Sequence, residues 1–218
     1  MPTQIGELGV TFPDATLQTT AAVPGTPGLG LPVMVVFTIN NTFIVPATIT
    51  RVRVTVVGGG GGSAANVDMS GYSGAGAGTA IKTITGLTPG TSINIIVGAG
   101  GAAGIPYGGA GGTGGTSSFG SYCSATGGSG GTYTALWASG GIGINGDLNM
   151  RGGPSSFCAG GGQGSNGGAS FMGAGGAGSQ TVDPGAGGQY GGGGGSRATQ
   201  DDSAPGAPGA SGVVIVEY

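Results

Sequence analysis

Glycine makes up 58 of the 218 residues, and all but eight of these glycines lie between Gly58 and Gly195. That density restricts the fold more than any motif does. Glycine has no side chain to bury, and each one costs roughly 0.5–1 kcal/mol more than alanine to order. Such a segment is either disordered or held by hydrogen bonds between backbones. The ordered alternative is a set of polyproline-II-like strands, packed closely because no Cβ keeps them apart. Flexible linkers are Gly/Ser repeats without apolar content. Here Tyr72, Tyr107, Phe119, Tyr122, Tyr133, Trp137, Phe157, Phe171 and Tyr190 punctuate the glycines. Order is the expectation.

The glycines keep only short registers. Gly108, Gly111 and Gly114 recur every third residue, as do Gly185, Gly188, Gly191 and Gly194, and Gly206–Gly212 is collagen-like for two triplets. The period is too brief for a triple helix. Short extended stretches broken by turns fit better, and no segment carries the 3.6-residue period of a helix.

Strand signals bracket the glycine region. Val33–Ile39 and Thr42–Val45 are separated by Asn40-Asn41. In Thr50–Val57, Val52, Val54 and Val56 alternate with Arg51, Arg53 and Thr55, the pattern of a half-buried strand. Thr79–Thr85 and Ser92–Val97 read as a hairpin around Pro89-Gly90, a pair suited to a type II turn. Gly212–Tyr218 is a last strand, expected to return and pair with Thr50–Val57. The glycine region would then be one large excursion from a β scaffold. Residues 1–31 read as an extended arm and linker, ending in the breaker Pro24-Gly25-Thr26-Pro27-Gly28. Residues 32–218 form the glycine-rich β domain.

Charge excludes several functions. Eight acidic and five basic residues give a net charge of −3, without a basic cluster beyond Arg51 and Arg53. Nucleic acid is not an expected partner. Met1–Glu7 lacks the basic and apolar regions of a secretory signal, and no apolar run is long enough to span a bilayer. Cys123 and Cys158 are open to two readings: a disulfide pinning two glycine-rich loops, or two reduced, packed thiols.

Catalytic chemistry finds no footing. Without histidine there is no His-based triad or His metal site. Gly98–Ala103 matches a dinucleotide fingerprint, but Pro106 and further glycines follow where a helix must start. Gly58–Gly62 lacks the lysine of a phosphate loop. Asp201-Asp202 is read as a solvated loop rather than a cation site. No enzyme, cofactor or metal is expected. A binding surface remains, on segments with bulky side chains: 66–72, 105–107, 132–138, 145–150, 170–172 and 197–205. Rigid aromatic side chains on loops give contact area at low entropic cost. Tyr133 and Trp137 are the first receptor-contact candidates, then Tyr107 and Tyr72.

Two parts of the chain resemble phage tail proteins. Gly9-Val10-Thr11-Phe12-Pro13-Asp14-Ala15-Thr16-Leu17-Gln18-Thr19-Thr20-Ala21 is similar to a motif recurrent in phage fibre and other virion proteins, with Ala15 where glycine is usual. Phe43–Pro46, Val54–Gly62, Leu87–Thr91, Val97–Gly101, Gly115–Gly120 and Gly212–Tyr218 resemble the glycine-rich domain of phage tail fibres and adhesins. The resemblance implies an all-β fold: a small antiparallel β-sandwich with long polyglycine-II-like loops, often within a homotrimeric fibre. It implies an attachment arm that includes Phe12 and Leu17. The expected partners are other tail or baseplate proteins and a bacterial surface receptor, either a glycan or an outer-surface protein. The expected location is the virion, assembled in the host cytoplasm. A purely structural virion part and, more remotely, a glycine-rich ice-binding or cell-surface protein are the alternatives.

Overall fold

All regular structure among the described residues is extended. The computed structural model describes residues 4–6, 9–11, 17–18, 33–65, 71–158, 163–180, 183–198 and 204–218. The strands are β1 (Gln4–Gly6), β2 (Gly9–Thr11), β3 (Leu17–Gln18), β4 (Met34–Phe37), β5 (Asn41–Ile44), β6 (Arg51–Val57), β7 (Gly71–Tyr72) and β8 (Thr79–Thr85). They continue as β9 (Ser92–Ile96), β10 (Ser117–Phe119), β11 (Cys123–Ala125), β12 (Gly143–Ile144), β13 (Leu148–Met150), β14 (Phe157–Cys158) and β15 (Val213–Glu217). The chain divides into two compact units, Met1–Val33 and Met34–Tyr218. In the first, β1, β2 and β3 form a three-stranded antiparallel sheet. Phe12 lies outside the described residues, and Leu17 is described as backbone only.

The second unit contains two five-stranded antiparallel sheets, ordered β13-β8-β6-β15-β4 and β12-β11-β10-β9-β5. Alternation explains their packing. Val52, Val54 and Val56 of β6 are buried, as are Val214 and Val216 of β15, while Arg51 and Arg53 are exposed. These valines meet Phe43, Ile93, Ile95 and Phe119 of the other sheet in one core. Phe43 is its centre, with the rings of Phe37, Phe119 and Tyr218 at 6.5, 5.8 and 5.9 Å. The expected pairing of the last strand with β6 is present, in the register Val213↔Val57 to Glu217↔Arg53.

The hairpin expected from Thr79–Thr85 and Ser92–Val97 is absent. β8 pairs with β6 and β13, whereas β9 pairs with β5 and β10 in the opposite sheet. Both strands alternate toward the same core, so the chain crosses from one layer to the other through buried Leu87. The turn itself forms as the sequence implies: the Thr91 amide donates to the Thr88 carbonyl, and Gly90 has φ +83°. Likewise β4 and β5, joined through Asn40, belong to different sheets.

Beyond the sandwich the strands run on as rods without a pleat. Residues 58–65 continue β6, and their amides sort by threes. Gly58, Gly61 and Ala64 donate to Gly78, Ala75 and Tyr72. Gly59, Gly62 and Ala65 donate to Gly115, Gly112 and Gly109, while Gly60 and Ser63 donate to Ala210 and Ala207. Its carbonyls accept in the same rhythm from segments running the other way round: Gly128 and Gly131, Gly101 and Gly104, and Gly194. A helix with three residues per turn and no internal hydrogen bonds points its amides 120° apart. Residues 58–65 therefore form a polyglycine-II rod at the centre of six neighbours, and every one of these residues is buried. Each amide in such a lattice must find a partner. Glycine's ordering cost is comparable to the roughly 1 kcal/mol that one hydrogen bond contributes.

Glycine is required here by space. A Cβ on Gly61 would overlap the Ser129 carbonyl, and one on Gly62 the Ala102 carbonyl. On peripheral rods only every third residue faces solvent, and it has a side chain: Ala110, Thr113 and Thr116; Ala174, Ala177 and Gln180; Pro205, Pro208 and Ser211. Serines replace glycine where the lattice ends. The Ser165 hydroxyl lies 2.7 Å from that of Ser196 and donates to the Gly71 carbonyl at 3.0 Å, and Ser73 donates to the Asn166 carbonyl at 2.8 Å.

Both cysteines are free. Cys123 sits in the sandwich core beside Phe119 in the ladder, and Cys158 pairs with Gly71 at the far end of the rods. A disulfide needs Cα atoms within about 7 Å, so the bridge is excluded by topology. Burial pushes the Cys123 thiol up to about 11, opposed by Lys82 and reinforced by Asp147.

Two outcomes follow from this packing. Gly61→Ala should lower stability by roughly 3 kcal/mol in urea unfolding, and Thr113→Ala by less than about 0.5 kcal/mol. Iodoacetamide at pH 8 should label Cys158 in the native protein and Cys123 only after unfolding, because the thiolate is the nucleophile.

Candidate functional site

The direction of each rod sorts the irregular segments into two groups. Residues 58–65, 98–104, 126–131, 151–156, 173–179 and 191–198 lead away from the sandwich, and 71–78, 109–116, 138–142, 164–170, 184–188 and 204–212 lead back. Segments 105–108 and 132–137 therefore lie at the far end. Segments 145–150 and 170–172 do not: Leu148 pairs with Ile81 of β8, and the Ser170 hydroxyl donates to the Tyr190 carbonyl at the base of the rods. At a rise of about 3.1 Å per residue, the central rod places the far end roughly 25 Å from the sandwich.

Two of the far-end loops display uncharged bulk. Tyr107 is 79% exposed and Trp137 63%, accompanied by exposed Ile105 and Leu136. Their loops spring from adjacent rods, since the Gly111 amide donates to the Gly131 carbonyl. Tyr107 is held at φ +60°, a conformation rare for a residue with a Cβ. An amide of the following rod closes the loop that carries it, Gly109 donating to the Ile105 carbonyl at 2.9 Å.

Tyr133 and Tyr72 are placed differently. Their rings meet edge to face at 5.6 Å, and both side chains are half-buried. The pair braces the base of the 132–137 loop against β7, leaving Trp137 as the displayed ring. Among the described residues, the buried Tyr133 hydroxyl has no hydrogen-bond partner. Burial, and secondarily Tyr72, holds its pKa above the ordinary tyrosine value. Arg197, on the outward rod at 191–198, makes a 3.4 Å ion pair with exposed Asp183, which precedes the returning rod at 184–188. No group of three or more His, Cys, Asp or Glu side chains suited to a metal occurs among the described residues. Asp201 and Asp202 lie outside them.

Residues 37–153 match the sequence profile of the glycine-rich domain. The chain belongs to this family. The match runs from the end of β4 through the start of the rod at 151–156, so it includes the central rod and the loops that carry Tyr107 and Trp137. The glycine-rich domain here is completed by later segments, among them the rod at 191–198, the rod at 204–212 and β15. No curated protein matches the chain.

Sequence reasoning ranked Tyr133 and Trp137 first and Tyr107 and Tyr72 after them, because nothing in the sequence marks that Tyr133 packs on Tyr72. It did not separate Phe171 and Met172, which are exposed at the base of the rods, from the far-end group. The signal that separates them is rod direction, which needs the hydrogen-bond register.

Removing the unpaired hydroxyl tests the bracing role. Tyr133→Phe should be stabilising by about 1 kcal/mol, because an unsatisfied buried polar group is costly. Tyr133→Ala should destabilise by roughly 2–3 kcal/mol in the same urea unfolding experiment through loss of the ring contact.

Proposed function

We propose that this glycine-rich domain protein is a host-attachment component of a bacteriophage tail, a fibre or baseplate-attached adhesin. Its far-end loops would meet the bacterial surface. One observation carries the reading: Tyr107 and Trp137 project on neighbouring loops from the end of a rigid lattice. Aromatic rings fixed on such a support give large contact area with little entropy to lose on binding. The arm sequence from Gly9 to Thr20, similar to a phage fibre motif, supports a virion setting. The absence of charge on Ile105, Tyr107, Leu136 and Trp137 favours a receptor surface that is itself uncharged at the contact, and direct binding rather than catalysis.

The test is binding of fluorescently labelled protein to a panel of bacteria that includes a host. Strain-selective binding should be lost in Tyr107→Ala/Trp137→Ala and retained in Phe171→Ala, an exposed ring at the opposite end. Binding unaffected by the double substitution in folded protein removes the far face as the contact. Absence of binding to every strain favours a structural virion part.

A further inference from the structure

Two Asn-Gly pairs occur in the sequence, Asn145-Gly146 and Asn166-Gly167. Such a pair is chemically labile, because a glycine leaves its backbone nitrogen without the cover of a Cβ and able to reach the asparagine side chain. The first pair makes the link from β12 to β13, and the shape of that link calls for both residues. Asn145 has φ +59°, a left-handed conformation that asparagine adopts more readily than most residues with a Cβ. At Gly146 a Cβ would lie 2.7 Å from the Leu148 carbonyl oxygen, closer than such atoms approach. Two side chains pin the peptide that joins the pair. The Lys82 ammonium donates to the Asn145 carbonyl at 2.8 Å, and the Gly146 amide donates to Asn149 Oδ1 at 2.9 Å. Asn149 Nδ2 donates in turn to the Gly146 carbonyl at 3.0 Å.

The second pair is held by the lattice instead. The Gly167 amide donates to the Gly176 carbonyl at 2.9 Å, and Asn166 Oδ1 accepts from the Gly178 amide at 2.8 Å. Freeing Gly167 means opening the rods, whereas freeing Gly146 takes only rotation of the exposed Asn149 side chain. We propose that Asn145 is a deamidation site of the folded protein and that Asn149 sets its rate by holding the Gly146 amide. Released from Asn149, the Gly146 nitrogen gives up its proton to a solvent base and attacks Cγ of Asn145. A C–N bond forms, the bond from Cγ to Nδ2 breaks, and Nδ2 takes up a proton and leaves as ammonia. Water then opens the succinimide at either carbonyl, giving aspartate or isoaspartate at position 145. Either product adds a carboxylate to a link that already carries Asp147, 3.8 Å from the Lys82 ammonium and bonded to the Thr83 amide. Isoaspartate also inserts a methylene into the main chain of the link. This inference is independent of host attachment, because it involves the sandwich and none of the far-end loops.

Incubation of the folded full chain at pH 8 in heavy-oxygen water, followed by peptide mapping with mass spectrometry, tests it. Asn145 should convert to labelled aspartate and isoaspartate while Asn166 stays intact, and unfolding in urea should make the two positions react alike. Asn149→Ala should speed conversion at Asn145 by about tenfold, the factor that loss of a net hydrogen bond allows. Asn166 in the same molecules reports any general loosening of the fold, so its rate should not change in that variant. An Asn145 that stays intact in folded protein while the unfolded chain reacts overturns the inference. So do conversion of Asn166 as fast as Asn145 in folded protein, an Asn149→Ala variant with an unchanged Asn145 rate, and one that speeds both positions equally.

Discussion

The structure depends on one condition, that the amides and carbonyls of residues 58–65 find partners in the surrounding segments. A threefold extended helix makes no hydrogen bonds of its own, so this rod is stable only inside a sheath of others. The sheath comes from distant parts of the chain: Gly78, Gly115 and Ala210 accept from three successive amides at the rod's start. Glycine is needed because backbones must approach until no Cβ fits between them. The same condition accounts for the serines at the rod ends, whose hydroxyls take over where backbone partners run out.

The sandwich supplies what the rods lack, apolar side chains. Val54, Val56, Phe43 and Phe119 make a core of ordinary character, and from it the strands continue into rods without a break. β6 leads into the central rod, the rod at 71–78 leads into β8, and the rod at 204–212 leads into β15. The sheets thus set the spacing and direction of the first rods, and the rods hold the far loops at a distance. A contact surface built in this way needs little core of its own. Tyr72 against Tyr133 is the one ring pair at that end among the described residues.

Much of this was legible in the residues. Alternation in Thr50–Val57 located a core strand and its buried face, and the valine-rich ending located its partner. The density of glycine, interrupted by aromatics, pointed to backbone-stabilised packing. Sheet membership was not legible, since Ala80 and Ile84 of β8 and Ile93 and Ile95 of β9 alternate toward one core from opposite layers, and alternation does not say which layer. Polyglycine-II-like packing was expected, but the limits and directions of the individual rods escaped for a related reason. The informative period of three is carried by outward residues such as Ala110, Thr113 and Thr116, whereas the inward positions admit glycine, alanine and serine alike. Trp137 was identifiable as a loop aromatic, but its separation from Tyr133 depended on a contact between distant segments.

Hydrogen exchange at single amides tests the lattice most directly. If residues 59–63 are hydrogen-bonded on all sides, their amides should exchange as slowly as those of β6 and β15, through global unfolding, although they bury almost no side chain. Exchange of Gly59–Ser63 within minutes, while β6 and β15 stay protected, would contradict the lattice and leave the glycine region a loose excursion from the sandwich.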